Sequence, residues 1–179
     1  MPEALLIVDF QNDFTPGGAL AVEGGDEIAE RINELAGSGR FDLVVATRDW
    51  HPEDHGSFAE RGGIWPVHCV QNTPGAELHS ALDRSQVHVI VDKGQNPGTE
   101  GYSGFDETEL AALLRERGID SVTVVGLATD YCVKNTALDA LREGLKVTVD
   151  SSAVRGVDVE PGDSQRALDE LRAAGAEIA

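Results

Sequence analysis

Cysteine is rare in this chain, two in 179 residues, and Cys132 stands where it could react. It follows the apolar run Val122 to Val125 and the segment Gly126-Leu127-Ala128-Thr129-Asp130-Tyr131. Val133, Ala137, Ala140 and Leu141 then recur at helical spacing. A thiol in the first turn of a helix meets unpaired N–H groups and the positive end of the dipole, which favour the thiolate. The same N–H groups can hold an oxyanion, so nucleophile and charge stabiliser come from one turn. The competing reading is a small buried hydrophobe, the ordinary fate of an unpaired cysteine.

A cysteine nucleophile needs a base to take its proton and return it to a leaving group. No histidine lies near Cys132 in sequence, but Asp9 ends the run Ala4 to Val8 in "IVDFQNDF" and offers a carboxylate. Lys93, in "VDKG", offers a fixed positive charge that would lower the thiol pKa and hold Asp9 ionised. A loop-capping aspartate and a surface lysine are the plainer readings of these two. The strongest local signal is "RDWHPEDH", followed by His68. Asp49, His51, His55 and His68 present one carboxylate and three imidazoles, the donor types a divalent transition metal takes. Such an ion could clip the loop together or orient and polarise a substrate. His79 and His88 fall in ordinary helix and strand patterns. Phe14 and Trp65, on loops, could sandwich a flat ring or simply pack. Cys69 reads as structural, with a soft metal ligand as the alternative.

Something must bring these groups together. Ala4 to Val8, Leu43 to Ala46, Val87 to Val91, Val122 to Val125 and Lys146 to Val149 read as strands, with a weaker one at Ala176 to Ile178. The runs are continuous rather than alternating, as in strands covered on both faces. Between them lie helical stripes. One is Ile28, Ile32 and Leu35; another begins at Asp106, with Glu109 completing a capping box; a third runs from Val133 to Leu141; the last carries Leu168 and Leu171. Alternation of this kind implies a single α/β domain over residues 1–179, three layers deep, with a parallel sheet between helices. In doubly wound sheets, ligands bind beyond the carboxyl ends of the strands. That rule gathers Asp9, Asp49, His51, Lys93 and Cys132 on one edge. The segment from Thr47 to Pro74 lacks periodicity, and a stretch that long in a compact domain is usually functional or disordered. Its tryptophans, histidines and cysteine favour function.

The totals narrow the field. A formal net charge of −18 repels phosphate backbones and anionic lipid, so neither nucleic acid nor membrane is an expected partner. The apolar runs fall far short of the roughly 20 residues needed to cross a bilayer. Met1-Pro2-Glu3 begins no secretory signal, and two cysteines make no disulfide framework, so a reducing cytoplasm is expected. A homo-oligomer is left open.

Taken together, "LLIVDFQNDFTPGGALAVEGG", "TRDWHPEDHGSF", "WPVHCVQNTPGAEL", "DKG" and "VVGLATDYCVKNTALDA" resemble the isochorismatase-like cysteine hydrolases, and within them the nicotinamidase (pyrazinamidase) group. The resemblance runs from about Leu5 to Asp150. It implies a six-stranded parallel sheet in the order 3-2-1-4-5-6. It also implies hydrolysis of nicotinamide to nicotinate and ammonia through a cysteine thioester, in NAD salvage, with pyrazinamide as a further substrate. Asp9, Lys93 and Cys132 match the family's base, charge partner and nucleophile. Asp49, His51 and His68 match its ligands for one divalent metal, zinc ahead of manganese or iron, with His55 an additional ligand in some relatives. Ala128 and Cys132 match the oxyanion hole, behind a cis peptide between Leu127 and Ala128. Phe14 and Trp65 match the residues flanking the pyridine ring. The alternatives are another amidohydrolase of the family, such as an N-carbamoyl amidase, or a metal- and thiol-based redox or binding protein. The lack of a Cys-x-x-Cys pair speaks against the last.

Overall fold

The computed structural model describes all residues from Met1 to Ala179. Six strands form one sheet: β1 (Glu3–Val8), β2 (Leu43–Asp49), β3 (Val89–Lys93), β4 (Ser121–Leu127), β5 (Lys146–Arg155) and β6 (Glu177–Ile178). Every pairing is parallel and the order is β3-β2-β1-β4-β5-β6, as the resemblance implied. The continuous apolar runs have the expected cause. Leu5 and Ile7 of β1 face one layer, while Ala4, Leu6 and Val8 face the other.

The first layer is built on α1 (Ala29–Ala36), whose Ile32 and Leu35 meet Leu5, Ile7, Val44 and Val125. The second holds α2 (Leu110–Glu116), α3 (Lys134–Arg142) and α4 (Asp163–Ala174), with Leu114, Ala137 and Leu171 against Leu6, Val45 and Val124. No helix is long and apolar enough to cross a membrane.

Strand ends and one helix start differ from the sequence reading, and β3 begins at Val89 rather than Val87. Strands β2, β3, β4 and β5 run past their apolar runs to Asp49, Lys93, Leu127 and Arg155. Backbone pairing continues where side chains turn polar, and Asp49 sits opposite Lys93 in register. The Asp106–Glu109 capping box does not form. Glu107 takes a left-handed φ of 55°, and the Thr108 hydroxyl caps instead, accepting from the Leu110 N–H at 3.2 Å.

The long connection from β2 to β3 is irregular, as expected, but tied down. His51 bridges to Val70 and Phe58 to Trp65. The buried Gln11 amide accepts from the Asp49 N–H at 2.9 Å and donates to the carbonyls of Asp49 and Ala76 at 2.9 and 2.8 Å. His79 lies in this connection rather than in a helix, its ring 5.3 Å from Phe10.

Candidate active site

The carboxyl ends of β1 to β4 converge on one ammonium group. Lys93 Nζ lies 2.8 Å from Asp9 Oδ2, donates to Asp49 Oδ1 at 2.5 Å and to the Gly101 carbonyl at 2.9 Å, and is 3.5 Å from Cys132 Sγ. Register brings it to Asp49, and its four-carbon stem carries it over β2 to Asp9. Asp9 leaves β1 with a φ of 49°, a conformation that points to a constrained site. Thr47 steadies it: its hydroxyl donates to Asp9 Oδ1 at 2.8 Å and its carbonyl accepts the Asp9 N–H at 3.1 Å.

Cys132 sits in a π-helical turn, Thr129–Val133, rather than in the first turn of an α-helix; α3 begins after it. Its sulfur and the carboxylates of Asp9 and Asp49 lie within 4.8 Å of one another. The turn is aimed by the end of β4, where Gly126 has a φ of 116° and packs against the backbone of β1. A Cβ there would stand 2.1 Å from the Val8 carbonyl oxygen. The Leu127–Ala128 peptide is cis.

Burial sets the protonation states. It pushes the Cys132 thiol well up, Asp9 and Asp49 add to the rise, and Lys93 offsets only part. The resting group is therefore the thiol, with burial outweighing the helix position and Lys93 that favour the thiolate. Burial also raises the Asp9 carboxyl, against the pull of Lys93. It works to strip Lys93 of its proton, but Asp49 and Asp9 hold the ammonium charged. The arrangement is a buried acid–thiol pair beside a permanent cation.

Asp49 has a second face. Its Oδ2 lies 3.3 Å from His51 Nε2 and 3.9 Å from His68 Nε2. The three donor atoms fall within 4.8 Å of one another and all three residues are buried. Each imidazole donates from Nδ1 to a carbonyl, His51 to Gly94 at 2.7 Å and His68 to Pro66 at 2.8 Å. A carbonyl can only accept, so each neutral ring carries its proton on Nδ1 and turns Nε2 toward Asp49, and the set fits a divalent metal. His55 lies outside the trio, its ring stacked on His51 at 3.9 Å. Its Nδ1 faces Ser57, and its buried Nε2 has no hydrogen-bond partner.

These groups form the floor of a pocket of about 440 Å³, counted with its open mouth. Phe14 and Trp65 line it, as do Asp49, His51, His68, Ala128 and Cys132, whereas Asp9, Lys93 and His55 lie behind the surface. Trp65 is fixed by its indole N–H, which donates to the Tyr102 hydroxyl at 3.0 Å, and by Tyr131 edge-on at 4.9 Å. Cys69 is fully buried, its N–H held by Asp13 at 2.8 Å. Sequence reasoning missed Thr47, Tyr102, Tyr131, Glu100 and Val157. Thr47 had a signal: two residues before Asp49 on one strand, it points to the same face.

The pattern of the isochorismatase domain matches residues 3–179. The chain belongs to the isochorismatase family. Two relatives within it are a nicotinamidase of Escherichia coli (strain K12), 44% identical over 99% of this chain and 94% of its own, and a nicotinamidase/pyrazinamidase of Mycobacterium tuberculosis, 45% identical over 98% and 97%. In three dimensions the chain superposes on a pyrazinamidase of Pyrococcus horikoshii in complex with zinc, with a TM-score of 0.92 at 49% identity, covering 100% and 99% of the two chains.

Proposed function

We propose that this isochorismatase-family chain is a nicotinamidase, hydrolysing nicotinamide to nicotinate and ammonia, and that it also accepts pyrazinamide. The observation that carries the reading is the pocket floor. Cys132, with Lys93 Nζ at 3.5 Å, lies beside the Asp49, His51 and His68 donors, beneath aromatic walls that suit a flat ring. The near-full-length similarity to enzymes named for this substrate supports it.

A divalent metal held by Asp49, His51 and His68, zinc before manganese or iron, supplies when bound a Lewis acid for the ring nitrogen or for a water against it. His55 stands behind His51 as a further donor. The chain's own residues do the rest. Phe14 and Trp65 hold the ring so that the carboxamide meets the thiol. Asp9 takes the thiol proton, and the sulfur forms its bond to the amide carbon. Negative charge collects on the carbonyl oxygen, toward the N–H groups of Ala128 and Cys132. The C–N bond breaks, and Asp9 passes its proton to the departing nitrogen, releasing ammonia. Asp9 then takes a proton from water, whose oxygen attacks the thioester; the C–S bond breaks and the proton returns to sulfur. Lys93 stays charged throughout and keeps Asp9 and the sulfur within reach of one proton. The reaction fits NAD salvage in a reducing cytoplasm, where two unpaired thiols persist.

Ammonia release from nicotinamide tests this. Metal-loaded protein is expected to turn over, chelation to abolish activity, and readdition of zinc, manganese or iron to restore it. Metal-loaded protein that releases no ammonia would overturn the reading.

A further inference from the structure

The pocket is unusual for what its wall omits. Among the residues that line it are two carboxylates, Asp49 and Glu100, and no lysine or arginine. Asp49 is spoken for by Lys93 and the two imidazoles. Glu100 has no cationic partner: it is solvent-exposed at the mouth, and only the Tyr102 hydroxyl bonds to its carboxylate. Lys93 is buried behind the pocket wall and paired with Asp9 and Asp49.

Glu100 is also held in place. The next residue, Gly101, accepts from Lys93 Nζ at 2.9 Å and approaches Gly94 so closely that a Cβ would lie 2.5 Å from the Gly94 Cα. The residue after it, Tyr102, is bound to Trp65. The segment Glu100-Gly101-Tyr102 is thus pinned at both sides, to the floor by the lysine and to the wall by the tryptophan. Burial, with the Glu100 charge adding to it and against the Trp65 hydrogen bond, pushes the Tyr102 phenol up to about 12. The carboxylate is therefore felt inside the pocket as well as at its rim.

Resting on the nicotinamidase reading, we infer that Glu100 is a specificity-determining residue whose uncompensated charge rejects anionic ring compounds and speeds departure of the carboxylate product. Nicotinamide is neutral and enters without penalty. Nicotinate carries a negative charge past a fixed one. Repulsion between two unit charges in a partly solvated mouth changes affinity roughly fivefold. Carboxylate-bearing amides are disfavoured by the same field.

The test is calorimetric binding of nicotinamide and of nicotinate to zinc-loaded protein carrying Cys132→Ala, with Glu100 intact, as Glu100→Gln and as Glu100→Lys. The preference for nicotinamide over nicotinate should fall about fivefold in Glu100→Gln and further in Glu100→Lys. In the Glu100 protein it should fall likewise near 1 M salt, where screening reaches about 3 Å. A preference that is the same in all three proteins overturns the inference. Failure of the nicotinamidase reading shows separately, as absence of ammonia from the Cys132 protein; binding of neither ligand overturns both.

Discussion

At the residue scale, the chemistry rests on few contacts. Thr47 is the clearest case, because its hydroxyl donates to the oxygen of Asp9 that Lys93 does not reach. In Thr47→Val that bond is lost while the shape is kept. Removing one such bond costs about 1 kcal/mol, so kcat for nicotinamide should drop about fivefold with KM little altered. Thr47→Ser should recover most of the loss. An unchanged kcat in Thr47→Val would show that Asp9 needs no such support. The residues that the structure brings together were legible in the sequence because Asp9, Asp49, Lys93 and Cys132 follow apolar runs, and runs of that kind end on one edge. Tyr102 and Glu100 were not, since a tyrosine and a glutamate on a loop carry no pattern of their own, and Thr47 was legible only through strand alternation, two residues before Asp49. The resting state of Cys132 is set by burial. Helix position and a neighbouring lysine are visible in sequence; complete burial, which outweighs both, is not.

At the scale of elements, the end of β4 is the piece that aims the turn carrying Cys132. Gly126→Ala must place a methyl group against the β1 backbone at a φ that side chains avoid. The expected cost is at least about 3 kcal/mol, a fall in Tm of roughly 6 to 12 °C, read by calorimetry. A Tm within two degrees of the parent would mean that the strands part easily. Further along, β5 is tied to α1 through Asp150. Burial opposes its charge, but hydrogen bonds from Ser152 and Arg31 prevail and hold the carboxyl below the usual range. A depressed carboxylate stabilises the fold above its unfolded pKa of about 3.9 and stops doing so as pH falls through the lower folded value. Asp150→Asn should therefore be less stable than the parent at pH 7, and the two should converge as pH falls through the lowered folded value. A constant gap across that range would contradict the assignment. The strands were readable where apolar and cut short where polar: "LVVA" announced β2, but Thr47, Arg48 and Asp49 belong to it through pairing with β3. The capping box failed because Thr108 supplied a competing hydroxyl nearer the helix start.

At the scale of the whole molecule, one sheet edge serves two purposes. Parallel strands in the order 3-2-1-4-5-6 bring four carboxyl ends together, and Asp49 stands between the halves of the site. One of its oxygens faces the lysine of the acid–thiol pair and the other faces the imidazoles. That division was invisible in the sequence, where Asp49 read only as a metal ligand. Alternation of strands and helices made the layers legible, while the strand order came from the resemblance. The strong acidity, which excluded nucleic acid and anionic membrane as expected partners, also suits a pocket that takes neutral amides. Cys132 as nucleophile is the claim on which the rest depends. It is tested most directly by ammonia release from nicotinamide with Cys132→Ala beside the parent, both loaded with zinc and assayed for metal content. The account predicts equal metal content and loss of activity by at least about a thousandfold; a variant that keeps its metal and turns over near the parental rate would contradict it.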